Sequence, residues 1–110
     1  MRELTKSQKK HLRLLAKDCY EKEMSLALES LSAYFKKWET REISTWDLND
    51  KIHEYHNEIA RDLWKVYESL SDPRMALSQA VIKGIIVIDE IPEDCRPLLQ
   101  GLIDLYRSEK

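Results

Sequence analysis

Residues Ser44 to Leu70 read STWDLNDKIHEYHNEIARDLWKVYESL, and the spacing in this stretch decides the fold. Ser44-x-x-Asp47 is a helix start of capping-box type: the hydroxyl accepts from a free amide of the first turn, and the carboxylate suits the positive end of the dipole. Leu48, Ile52, Tyr55, Ile59, Leu63, Val66 and Leu70 then recur at steps of three and four, which places them on one helical stripe. Asp47, Lys51, Glu54, Glu58, Arg61, Asp62 and Lys65 fall opposite and predict a solvated face, with Asp47–Lys51 as its one oppositely charged i,i+4 pair. A second apolar group fits neither set. At about 100° per residue, Trp46, His53, Ala60 and Trp64 nearly superpose, about 120° from the main stripe. A helix covered over so much of its circumference needs more than one neighbour, from this chain or from another.

Working outward, Thr5-Lys6-Ser7-Gln8 is a capping box in its Thr-x-x-Gln form. It opens a helix over about 5–38 that meets no Gly or Pro. In its first half Leu12, Leu15, Ala16 and Cys19 form a narrow apolar stripe. Its second half carries Met24, Leu26, Ala27, Leu28, Leu31, Ala33, Tyr34, Phe35 and Trp38, which predicts deeper burial there. The short polar link before Ser44 makes the first two helices, about 5–38 and 44–70, antiparallel neighbours. Leu26, Leu31, Ile52, Ile59 and Leu63 are the expected core of that hairpin.

After Leu70 the chain turns at Ser71-Asp72-Pro73, where Asp72 suits a cap and Pro73 the first helical position. A third helix runs over about 73–83 and Gly84 ends it. Ile85 to Ile88 is β-branched throughout and has no second strand to pair with, so it reads as a buried extended connector. Pro92 and Pro97 cannot share one helix interior, and a fourth helix is placed at about 95–107. The fold class is therefore all-α: residues 1–110 as one helical domain, a four-helix arrangement built on a long antiparallel hairpin.

Composition bounds the function. Of 110 residues, 43% are hydrophobic and 35% charged, enough for a core and a solvated surface and too apolar for disorder. A formal net charge of -2 gives no general attraction to nucleic acid or anionic membrane. The longest apolar run, Ile85 to Ile88, is far short of the ~20 residues of a membrane span. Two cysteines are too few for a disulfide framework and, with no export signal in MRELTKSQKK, they suggest reduced thiols and a cytoplasmic protein.

Three features invite chemistry. Asn49, His53, His56 and Asn57 cluster in the second helix, and an i,i+3 His pair can reach one metal ion. The pair is not the H-E-x-x-H motif, and the sequence names no third ligand. The plainer alternative is that His53 packs between Trp46 and Trp64 as part of an interface or ligand patch comprising Trp46, Asn49, His53, His56, Asn57 and Trp64. Second, Lys6, Lys10, Arg13 and Lys17 step along one side of the first helix near its N-terminus, where cations oppose the dipole. The acidic residues Asp89, Glu90, Glu93 and Asp94, or an acidic partner, are the expected compensation. Nucleic acid is disfavoured, because no recognition motif accompanies the stripe. Third, Cys19 lies on an apolar stripe and Cys95 follows two acids, which predicts inert thiols.

No phosphate loop or nucleophile elbow is present, and the sequence leans away from catalysis. It points to a helical protein–protein interaction or self-association module, a regulator or inhibitor of a partner, most simply a homodimer. The alternative is a metal-binding or metal-dependent protein holding a divalent transition metal on His53 and His56. Outside that alternative no cofactor is expected.

Overall fold

Two capping boxes start the two long helices. The structure, a computed structural model, describes residues 4–69 and 72–108. Thr5 Oγ1 accepts from the Gln8 amide at 3.1 Å, and Gln8 Oε1 accepts from the Thr5 amide at 2.9 Å. Helix α1 then runs unbroken over Lys6–Glu39. Ser44 and Asp47 exchange the same two bonds at 3.0 and 3.1 Å to open α2, residues 45–69. Helix α3 is Pro73–Ile82, with Asp72 as its cap and Pro73 at its first position. Two 3₁₀ turns, Ile88–Glu90 and Glu93–Cys95, lead into α4, Arg96–Ser108. There is no strand among the described residues. Leu70 and Ser71, the expected end of the second helix and start of the turn, lie outside the described residues.

The α1–α2 link turns within residues 40–44, and the pairing runs in opposite order along the two helices. Trp38 Nε1 donates to Thr45 Oγ1, Tyr55 OH to Met24 Sδ, and the Tyr20 and Tyr67 rings stack at 5.1 Å. The expected antiparallel hairpin is therefore present. Helices α3 and α4 pack on one another, and α3 packs on the first half of α1. The core sits there: Leu4, Leu12, Ala16 and Cys19 meet Leu77, Ala80, Ile86, Ile91, Cys95, Leu99 and Ile103. The apolar connector is only partly buried, with Ile86 inside and Val87 exposed.

The depth of burial along α1 is the reverse of the expectation. Its buried residues, Leu12, Ala16 and Cys19, are all in the first half. Leu26 is 47% exposed, and Ile52 and Ile59 are also exposed. Leu31 is half-buried, and of the five expected hairpin core residues Leu63 alone is buried. The reason is geometric. A 34-residue helix is ~51 Å long, close to the 55 Å long axis of the molecule. Helices α3 and α4 reach only its base, so the outer hairpin is two helices thick, and each covers one side of the other. The radius of gyration, 17.1 Å, exceeds the ~13 Å of a compact chain of this length for the same reason.

Candidate functional site

Helix α2 is not a uniform α-helix. Tyr55–Ile59 and Lys65–Ser69 are π turns, with α-helical Ala60–Trp64 between them. The Ala60 amide donates to the Tyr55 carbonyl five residues back. A π turn takes one residue more than an α turn, so later residues sit about 100° further back around the axis than an unbroken α-helix places them. Such turns are frequent at functional sites. Here the first one falls between His53 and Trp64.

That offset splits the expected Trp46–His53–Trp64 ridge. Trp46 stands in the first turn of α2 and is 78% exposed, and Asn49 and His53 are exposed beside it. Beyond the π turn, Ala60 and Trp64 swing toward α1. With His56, Asn57 and Arg61 they line one side of a groove of about 450 Å³ whose other side is Tyr20 and Met24. Trp64 is 52% exposed there. The six patch residues are thus divided: His56, Asn57 and Trp64 line the groove, while Trp46, Asn49 and His53 do not. Neither the C-terminal segment nor any other part of the described chain buries this face.

The groove continues toward the base of the molecule. Tyr20 and Met24 also line the next hollow with Lys17, Glu21, Ser25, Leu28 and Glu68. Lys17, Tyr20 and Glu68 then border a third, with Arg13, Ala16, Tyr67 and Pro73. The three form one open trough along the junction of α1 and α2, wetted by Arg13 and Lys17 at one end and apolar at Met24, Leu28 and Trp64 toward the other. Sequence spacing did not single out Tyr20, Met24 or Leu28 as site residues. Their signal is the i,i+4,i+8 series that continues alongside the basic stripe.

The floor of the trough is braced by a buried polar knot. The Glu23 side chain, 9% exposed, accepts from Lys83 Nζ at 3.1 Å and from Tyr67 OH, tying α1 to α2 and to the end of α3. Burial, then the hydrogen bond to Glu23, pushes the Tyr67 phenol well above its usual range. Burial, reinforced by Glu23, Glu90 and Asp18, pushes the nearby Cys19 thiol up to about 11. It is a thiol at neutral pH, unsuited to nucleophilic work, as the sequence predicts.

The basic stripe is exposed along its length: Lys6, Lys10, Arg13 and Lys17 all face solvent. The acidic segment meets α1 through Gln8, whose Nε2 donates to Asp94 Oδ2 at 2.5 Å. The expected Asp47–Lys51 pair is replaced by Lys51–Glu54 at 3.5 Å, because the Asp47 carboxylate is held in its capping box. As for metal, no group of three or more His, Cys, Asp or Glu among the described residues is arranged to hold an ion. His53 and His56 therefore gain no third ligand of these kinds from the described chain. No helix, among the described residues, is long and apolar enough to cross a membrane. Compared with protein-family models, curated proteins and solved structures, the chain matches none.

Proposed function

We propose that this chain is a protein-interaction module that works through the trough side of its projecting hairpin. One observation carries the reading: Met24, Leu28, Phe35 and Trp64 lie on an arm only two helices thick, with Leu28 46% and Trp64 52% exposed. Contiguous exposed apolar surface of this kind marks interaction sites, and Trp is over-represented among the residues that dominate binding. The mixture of Trp64 and Met24 with His56, Asn57 and Arg61 has the aromatic and polar character of an interface centre. Regulators, inhibitors and assembly factors use such surfaces. With Cys19 a free thiol buried in the core, a reducing compartment such as the cytoplasm suits the protein.

Photo-crosslinking in cells tests the proposal. A photoreactive side chain at position 28 is expected to give a covalent protein adduct, while the same group at exposed position 104 on α4 is expected to give none. Absence of any adduct from position 28 would overturn the reading.

A further inference from the structure

The partner's identity is written along one flank of α1. Counting about 100° per residue, Lys6, Lys10, Arg13, Lys17, Glu21, Met24, Leu28, Leu31, Phe35 and Glu39 fall within an arc of about 80°. That arc is turned about 130° from Leu12, Ala16 and Cys19, which face the core. It is open along its length: all ten residues are exposed except half-buried Met24 and Leu31. Along the helix the arc is basic from Lys6 to Lys17, apolar from Met24 to Phe35 and acidic at Glu39, with Glu21 at its rim one turn after Lys17 and Glu42 following in the turn.

We infer that the occupant of this flank is a second copy of the same chain, docked antiparallel along α1 about a two-fold axis between Met24 and Leu28. The inference rests on the interaction reading above and names its partner. A strip with one basic and one acidic end and an apolar centre is complementary to itself when reversed. A two-fold interface requires that property, because the same patch must serve both subunits. In that register Arg13 stands level with Glu39 of the partner subunit, and Lys10 reaches the end of the partner helix, where the link begins. Lys17 faces Phe35 of the partner subunit, a cation over an aromatic ring. Met24 meets Leu28 of the partner subunit at the axis, beside the groove that Trp64 lines.

The arrangement answers two problems at once. The exposed cation Arg13 gains an acid from the partner. The apolar middle of the arm, which α3 and α4 do not reach, is covered by an equal length of the same surface. A parallel copy would set like charges together. Nucleic acid would meet the basic third but leave the apolar middle wet and bring phosphate against Glu39 and Glu42.

Light scattering at micromolar concentration, with Arg13→Glu, Glu39→Arg and the double variant, decides the matter. The wild type is expected at twice the single-chain mass of 13.1 kDa. Each single reversal is expected to weaken association by about tenfold or more, since it juxtaposes like charges. The double variant restores opposite signs on both sides of the axis and is expected to regain the dimer. Both residues are exposed, and circular dichroism verifies that each variant is folded. A wild type that stays at 13.1 kDa overturns the second-copy inference, and so does a dimer indifferent to the reversals or not restored by the double. The two proposals fail separately. A crosslinked adduct from position 28 to a different protein would sink this inference and leave the interaction reading standing.

Discussion

Arg41 and Gly84 do the same work at two helix ends with different side chains. Both have positive φ, 64° and 78°. At the end of α1 the Glu42 amide donates to the Lys37 carbonyl at 2.8 Å and the Arg41 amide to Trp38 at 3.0 Å. At the end of α3 the Ile85 amide donates to Ala80 at 2.9 Å and the Gly84 amide to Val81 at 3.0 Å. These are the paired bonds of a Schellman cap, whose left-handed position glycine usually fills. Arg41 bears the strain of a side chain there, and its guanidinium lies over the Trp38 ring at 5.6 Å. In Arg41→Gly, relief of ~1–2 kcal/mol of strain is offset by glycine's greater unfolded-state entropy and by the lost ring contact. Stability is expected to stay within ~0.5 kcal/mol of wild type. Arg41→Val puts a β-branched residue in the left-handed region and is expected to lose ~1–2 kcal/mol. Urea midpoints measure both, and an unharmed Arg41→Val would show that the turn is not held in this conformation.

The helices themselves separate what local chemistry fixes from what packing fixes. Both capping boxes, the Asp72–Pro73 start and the Gly84 stop were legible because each is a bond or a dihedral settled within a few residues. Asp72 offers a direct check. It accepts from the Arg74 amide at 3.0 Å, and the hydrogen bonds from the Arg74 side chain hold its carboxyl below the usual carboxylate range. A depressed folded-state pKa means stability fully present above the unfolded value and lost as pH falls through the folded one. Asp72→Ala is expected to cost ~0.5–2 kcal/mol at neutral pH. The gap from wild type should narrow on acidification below about pH 4, read from urea midpoints at the two pH values. A gap that stays constant would mean the carboxylate carries no charge-dependent share. The π turns of α2 were not legible. Nothing in the spacing of Tyr55 to Ile59 departs from an α pattern, and the extra residue per turn is fixed by how Tyr55 and Tyr67 seat on Met24, Tyr20 and Glu23 of α1. That unseen offset is why the ridge of two Trp residues about His53 divided, and why the groove gathered Trp64 with residues from the other helix.

The whole molecule is a four-helix base with an arm, and its stability is unevenly distributed. Leu63, buried between the two hairpin helices, and Leu26, 47% exposed on the arm and away from the charged flank, test this. Leu63→Ala is expected to cost ~2–5 kcal/mol, and Leu26→Ala to stay within ~0.5 kcal/mol. Equal losses in thermal or urea unfolding would mean that the outward side of the arm is covered in solution as fully as the side facing α2. The amino-acid sequence by itself determined the helical class, the order of the helices, their caps and stops, and the hairpin, because hydrogen-bonding ends and a 3.6-residue apolar period are properties of neighbouring residues. It identified Cys19 as a core thiol and Lys6, Lys10, Arg13 and Lys17 as a surface stripe for the same reason. Only the tertiary structure decided which apolar residues are covered. Periodicity states which side of a helix seeks burial and not whether another helix reaches it. Helices α3 and α4 are too short to extend along a ~51 Å helix, so Leu12 became core, while Leu26, no less apolar and on nearly the same side of α1, was left on the surface.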